Sequence, residues 1–184
     1  DLVRNQMGVR HNHCYTSPVY REKTAAIDRL LAERYGKNPN VILWHISNEF
    51  GGECHCELCQ AAFRTWLKEK YDNDLDKLNH AWWSTFWSHN VTDWEQIHSP
   101  RSDGEPDIIM TGLYLDWRNF VTHQTTDFMK MEIATVKAVC PDIPVTTNMM
   151  WLPQDVDYHY LKDHIDVVSW DAYPTWHEPD QIRC

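Results

Sequence analysis

Val41-Ile-Leu-Trp-His-Ile46, followed at once by Ser47-Asn48-Glu49, is the stretch that decides the fold. A near-continuous apolar run entered from the turn Lys37-Asn-Pro-Asn40 and left on polar residues suits a strand buried on both faces, as in a parallel sheet. Upstream, Pro18–Tyr35 sets Ile27, Leu30, Leu31 and Tyr35 at helical spacing and stops at Gly36, which predicts an amphipathic helix. Downstream, 58–71 is helical by its spacing, with Ala62, Phe63, Trp66 and Leu67 inward and Arg64, Lys68, Glu69 and Lys70 outward, and 75–83 reads as a second helix. A long helical pattern over 110–139 carries Leu113, Trp117, Phe120, Val121, Phe128, Met131 and Val136 and is stopped by Cys140-Pro141. Two further strands are predicted at 144–148 and 165–171, with a short helical link around 158–163. Helix and strand in alternation imply a parallel sheet with helical crossovers, either a β/α barrel or a doubly wound sheet. Between the regular elements, 84–106 is polar, dotted with Trp and interrupted by Pro100, Gly104 and Pro106, so it reads as a long excursion of the kind that is usually functional.

Composition narrows the classes. At 184 residues the chain is long enough for one substantial core and too short for two ordinary domains, so one domain or part of one is expected. A formal charge of −10 disfavours a nucleic-acid partner, which needs a basic surface. No apolar run approaches the roughly 18 to 20 residues of a membrane span, and Asp1-Leu2-Val3-Arg4 has no signal-peptide pattern. Ten tryptophans either fill a core or line a site that stacks flat ligands such as sugars. No glycine-rich phosphate loop follows any strand, which lowers the nucleotide-binding reading. Three cysteines packed into Cys54-His-Cys56-Glu-Leu-Cys59 suit a metal better than a disulfide framework, so a reducing, cytoplasmic setting is expected.

In a β/α barrel the reacting groups stand at the C-terminal ends of strands. Asn48-Glu49 after the first strand, Asn148 after the second, and Asp171 with Tyr173 after the third occupy such places. A carboxylate beside an amide, just past a hydrophobic strand, suits glycosidic cleavage, which needs a protonated acid at the leaving oxygen and a second carboxylate on the opposite face of the sugar. Taken as an isolated pair, Asn48-Glu49 also fits a cap on the segment that follows.

The run Arg10-His-Asn-His-Cys14-Tyr-Thr-Ser-Pro18, then Trp44-His-Ile-Ser-Asn48-Glu49-Phe-Gly51, Cys54-x-Cys56-x-x-Cys59, Ala81-Trp-Trp-Ser-Thr-Phe-Trp87 and Ser169-Trp-Asp-Ala-Tyr173-Pro174 resemble, in order, landmarks of the family 42 glycoside hydrolases, which are β-galactosidases. The resemblance runs through essentially the whole chain. It implies an α/β fold, part of a (β/α)8 TIM barrel, in which residues 1–184 supply roughly strands four to six of a single catalytic domain with a metal-binding loop at about 52–60. It implies that Glu49 is the acid/base of a retaining hydrolase of terminal β-D-galactosides, with Asn48 on the sugar 2-hydroxyl and Arg10, Trp87 and Tyr173 lining the galactose subsite. It also implies that Cys14 joins Cys54, Cys56 and Cys59 on a structural zinc ion, that the nucleophile lies on the seventh strand outside this chain, and that the enzyme is a homotrimer. His13 and His55 are alternative ligands for one zinc position. Cys140 and Cys184 match nothing in the family pattern. Two other readings stand beside this one: another retaining β-glycosidase of the same clan, of the β-glucosidase or mannanase type, and a non-catalytic zinc-stabilised binding module.

Overall fold

The computed structural model describes residues 13–100, 110–150 and 156–172. Three strands form one sheet in the order β1 (Trp44–His45), β2 (Val145–Met149), β3 (Val167–Trp170), every pair parallel. Around it stand α1 (Pro18–Tyr35), α2 (Glu57–Lys70), α3 (Leu75–Trp82), α4 (Thr111–Lys137) and the short α5 (Tyr158–Leu161). Helices therefore lead into and out of parallel strands, as the alternation predicts. The excursion after α3 contains two single 3-10 turns, Phe86–Ser88 and Trp94–Gln96. No helix among the described residues is long and apolar enough to cross a membrane.

Local chemistry explains the helix ends. Ser17 caps α1 by accepting from the Tyr20 N–H, with proline at the first helical position. Asp74 caps α3 by accepting from the N–H groups of Asp76 and Lys77. The spacing within α4 is realised closely, since Trp117, Phe120, Val121, Phe128 and Val136 are all buried. Phe63 and Leu67 of α2 are fully buried against the same helix face, with Phe63 edge-on to the Trp117 ring at 5.1 Å. Asp116 of α4 ties three helices together, accepting hydrogen bonds from Tyr71 Oη at 2.7 Å and Trp82 Nε1 at 2.8 Å while pairing with Lys70. Close approach at this junction requires Gly112, where a Cβ would lie 2.7 Å from Trp82 Cα.

Two expectations need correction. The predicted first strand, 41–46, forms ladder pairs only at Trp44–His45, prolonged by the Ile46 N–H donating to the Thr146 carbonyl at 2.7 Å. Val41, Ile42 and Leu43 precede the level at which β2 begins, because its entry residue Pro144 offers a carbonyl to Trp44 and no N–H of its own. The apolar face expected on α1 is not covered either: Ile27, Leu30, Leu31 and Tyr35 are exposed, and the helix packs on α4 through its other side, where Ala32 is buried. With Ile42 and Leu43 at one side of the sheet and Val167, Val168 and Trp170 at the other, large apolar side chains lie bare at both lateral edges.

Candidate active site and cysteine centre

Polar side chains gather where the three strands end. Asn148, near the end of β2, accepts from the Glu49 backbone N–H at 2.9 Å, donates to Asn48 Oδ1 at 3.2 Å, and donates to the Asp171 carboxylate at 2.9 and 3.1 Å. Asp171 stands just past β3, its own N–H donating to the Met149 carbonyl at 2.9 Å. One amide thus links the C-terminal ends of all three strands, and Asn48, Glu49, Asn148 and Asp171 share one rim. Asn48 is exposed and Glu49 half-buried.

The turn that carries Glu49 is conformationally costly. Ser47 (φ 49°) and Glu49 (φ 48°) both occupy the left-handed region without being glycine, a conformation that costs of order 1–3 kcal/mol per residue and persists only where its surroundings hold it. Beneath it, Ser47 Oγ lies 2.9 and 3.0 Å from the two carboxyl oxygens of Glu132 on α4. Burial pushes the Glu132 carboxyl up to about 8, against the Ser47 hydrogen bond and aided by the neighbouring Asp28. Asp28 itself is pushed up to about 6 by burial. The capping alternative for Asn48-Glu49 fails, because α2 begins only at Glu57 with Cys56 at its N-cap.

Trp87 sits in the Phe86–Ser88 turn at φ 55°, 66% exposed, stacked on Phe86 at 4.9 Å; Phe86 in turn stacks on Trp83 at 5.9 Å. Arg10 and Tyr173 lie outside the described residues, as do Cys184 and Pro174. Glu132 and Asp28 belong to none of the sequence motifs. A signal existed, since Glu132 continues the buried i, i+4 stripe Phe128, Glu132, Val136, where a carboxylate is out of place.

Cys14, Cys54, Cys56 and Cys59 are all buried, and their sulfur atoms lie within 4.8 Å of one another. Cys14 Sγ is 3.7 Å from Cys56 Sγ and 3.5 Å from Cys59 Sγ, and Cys56 is 3.8 Å from Cys59. Thiolates at about 2.3 Å from a tetrahedral centre stand about 3.8 Å apart, so the donor set fits a four-sulfur metal centre. None of the four is in a disulfide. Hydrogen bonding from Cys14 pulls the Cys54 thiol below its usual range, while hydrogen bonding to Cys54 pushes Cys14 up to about 11. Thr16 Oγ1 at 3.3 Å and Gln124 Nε2 at 3.7 Å reach the Cys59 sulfur, supplying the outer polar contacts that orient such ligands. Neither histidine alternative takes part. His55 bonds Ser99 Oγ through Nδ1 at 2.8 Å, places Nε2 3.3 Å from Glu53 and stacks on Trp117, and His13 stacks on Tyr20 at 4.8 Å. Burial pushes the Glu53 carboxyl up, but the hydrogen bonds from His55 and Trp117 outweigh it and hold the group below the ordinary carboxylate range.

The family model described as glycoside hydrolase family 42, β-galactosidase, matches residues 1–183. β-Galactosidase BglY of Alicyclobacillus acidocaldarius is 60% identical over 182 residues, a match covering 99% of this chain and 26% of that protein. β-Galactosidase GanA of Bacillus subtilis is 58% identical over 181 residues, covering 95% and 27%. Among solved structures, the family 42 β-galactosidase Gan42B of G. stearothermophilus superimposes with a TM-score of 0.88 at 57% identity, covering 96% of this chain and 26% of that one. The cold-adapted β-galactosidase of Rahnella sp. R3 gives 0.86 at 55% identity, covering 92% and 25%. The chain therefore spans about a quarter of the length of these relatives, and it belongs to glycoside hydrolase family 42.

Proposed function

We propose that residues 1–184 form the acid/base half of the catalytic barrel of a longer retaining β-galactosidase, with β1, β2 and β3 as its fourth, fifth and sixth strands. Glu49 protonates the leaving oxygen of a terminal β-D-galactoside and then activates the water that releases the sugar. Asn48 bonds the 2-hydroxyl, and Arg10, Trp87 and Tyr173 line the galactose subsite. The nucleophile stands on a strand outside this chain, because retention needs a second carboxylate about 5 to 5.5 Å from the first. Asp171 is occupied by Asn148 at the sixth-strand rim, a setting unlike that of a free attacking group.

The observation that carries this reading is the single rim of Asn48, Glu49, Asn148 and Asp171 across three parallel strand ends. Zinc is the ion proposed for Cys14, Cys54, Cys56 and Cys59, where four protein ligands leave no open position and the role is structural. It pins the segment before α1 to the loop after Glu49.

The test is leaving-group dependence in the polypeptide that carries this segment with its flanking sequence. Glu49→Gln should reduce turnover of lactose by orders of magnitude and spare an activated nitrophenyl galactoside much more, because only the poor leaving group needs the proton. Equal losses on both substrates would remove Glu49 from the acid/base role.

A further inference from the structure

Behind the turn that presents Glu49 lies a carboxyl group for which the proposed chemistry has no direct use. Glu132 is 3% exposed and sits on the core face of α4 between Phe128 and Val136. Among the described residues no cation pairs with it, and a charge that acts on it is another carboxyl, Asp28 of α1. A buried carboxyl in such a place is disfavoured relative to an apolar residue of the same size. Among the described residues its one hydrogen-bond partner is Ser47 Oγ, at 2.9 and 3.0 Å.

Ser47 opens a turn that does not hold itself, with φ at 49° and 48° at Ser47 and Glu49. Among the described residues, two side-chain hydrogen bonds restrain it. Asn148 holds the Glu49 N–H from the rim, and Glu132 holds the Ser47 hydroxyl from beneath. We propose that Glu132 is a positioning residue for Glu49: through Ser47 it fixes the left-handed turn, and with it the direction in which the Glu49 carboxyl meets the scissile oxygen. This rests on the reading of Glu49 as the acid/base.

The two nearly equal oxygen distances fit a reciprocal pair. The Ser47 hydroxyl donates to the carboxyl, and a carboxyl that holds its proton can return a hydrogen bond to Ser47 Oγ through its other oxygen. Glutamine reproduces that pair, its amide N–H donating and its carbonyl accepting. Methionine fills the volume and cannot.

The experiment compares Glu132→Gln, Glu132→Met and Glu49→Gln in the polypeptide carrying this segment and its flanks, with kcat and KM for lactose and for a nitrophenyl galactoside, and Tm for each. Glu132→Gln should stay within a few-fold of wild type. Glu132→Met should lose about 10- to 100-fold in kcat on lactose, as a misplaced reacting group does, with KM little changed and a smaller loss on the nitrophenyl substrate. Wild-type kinetics in Glu132→Met, or equal losses on both substrates, overturns the proposal. Should Glu132→Met fail to fold, Ser47→Gly removes the same hydroxyl while accommodating the positive φ; it should show the same selective loss, and wild-type kinetics there also overturns it. A Glu49→Gln variant without leaving-group dependence defeats the acid/base reading itself and this proposal with it, whereas a normal Glu49→Gln pattern beside an inert Glu132→Met defeats this proposal alone.

Discussion

The backbone N–H of Glu49 donates to Asn148 Oδ1 across 2.9 Å, joining two residues 99 positions apart at the ends of adjacent strands. The same Asn148 amide donates to Asn48 and Asp171, so its removal frees three partners at once. Asn148→Ala should lower kcat on lactose by about 10²-fold through misplacement of Glu49. The rim is only half-buried, so Tm should fall by a few degrees at most. Steady-state kinetics beside a thermal melt checks this, and an unchanged kcat would show that the turn is held without Asn148.

The cysteine centre predicts one zinc per chain by elemental analysis. Sustained chelation, or Cys59→Ser, should remove the metal and lower Tm by many degrees, because the ligands bridge Cys14 to a segment 40 to 45 residues later. A protein that binds no metal yet melts like its untreated form would reduce the cluster to four buried thiols.

Glu132 and Asp28 set a dependence on pH. In the unfolded chain a glutamate releases its proton near 4.3, whereas burial keeps Glu132 protonated up to about 8. Between those values the native state binds the extra proton, so stability falls as pH rises, by up to about 1.4 kcal/mol per pH unit, and levels off above pH 8. Asp28 adds the same sign over the lower part of this window, up to about 6. Denaturant melts from pH 4.5 to 8.5 should show the decline in wild type and a flatter curve in Glu132→Gln. Parallel curves for the two proteins would mean that Glu132 titrates normally.

Residues 1–184 produced alone should not hydrolyse a nitrophenyl galactoside and should associate in solution. Among the described residues, Ile42 and Leu43 beside β1 and Val167 and Val168 on β3 present exposed apolar side chains at the two outer strands of the sheet. Light scattering and an activity assay test both statements. Turnover that disappears in Glu49→Ala would place a nucleophile within the 184 residues.

Much of this architecture is legible in the sequence because burial leaves a periodic trace. The α4 stripe, the Ser17 and Pro18 start of α1, and the cysteine triplet are each set by local rules. The edge of β1 is not, since whether Val41 to Leu43 join a ladder depends on where β2 begins, about a hundred residues later. The bare face of α1 escaped for the same reason: helical periodicity marks Ile27, Leu30 and Leu31 as an apolar face and says nothing of what covers it. Within the site, Asn48, Glu49, Asn148 and Asp171 could be placed from their positions after strands. Glu132 stayed hidden among hydrophobic neighbours, because its partner Ser47 is 85 residues away.

The 27-residue helix α4 packs against α1, α2, α3 and α5. Asp116 anchors α2 and α3, Gln124 reaches the cysteine centre, and Glu132 reaches the turn of Glu49. These three positions follow one another at equal intervals of eight residues, and at 1.5 Å per residue they span about 24 Å. A single residue inserted between any two of them would turn the rest of the helix by about 100° and carry at least one of these side chains away from its partner. Related enzymes should therefore hardly vary in length from position 116 to position 132.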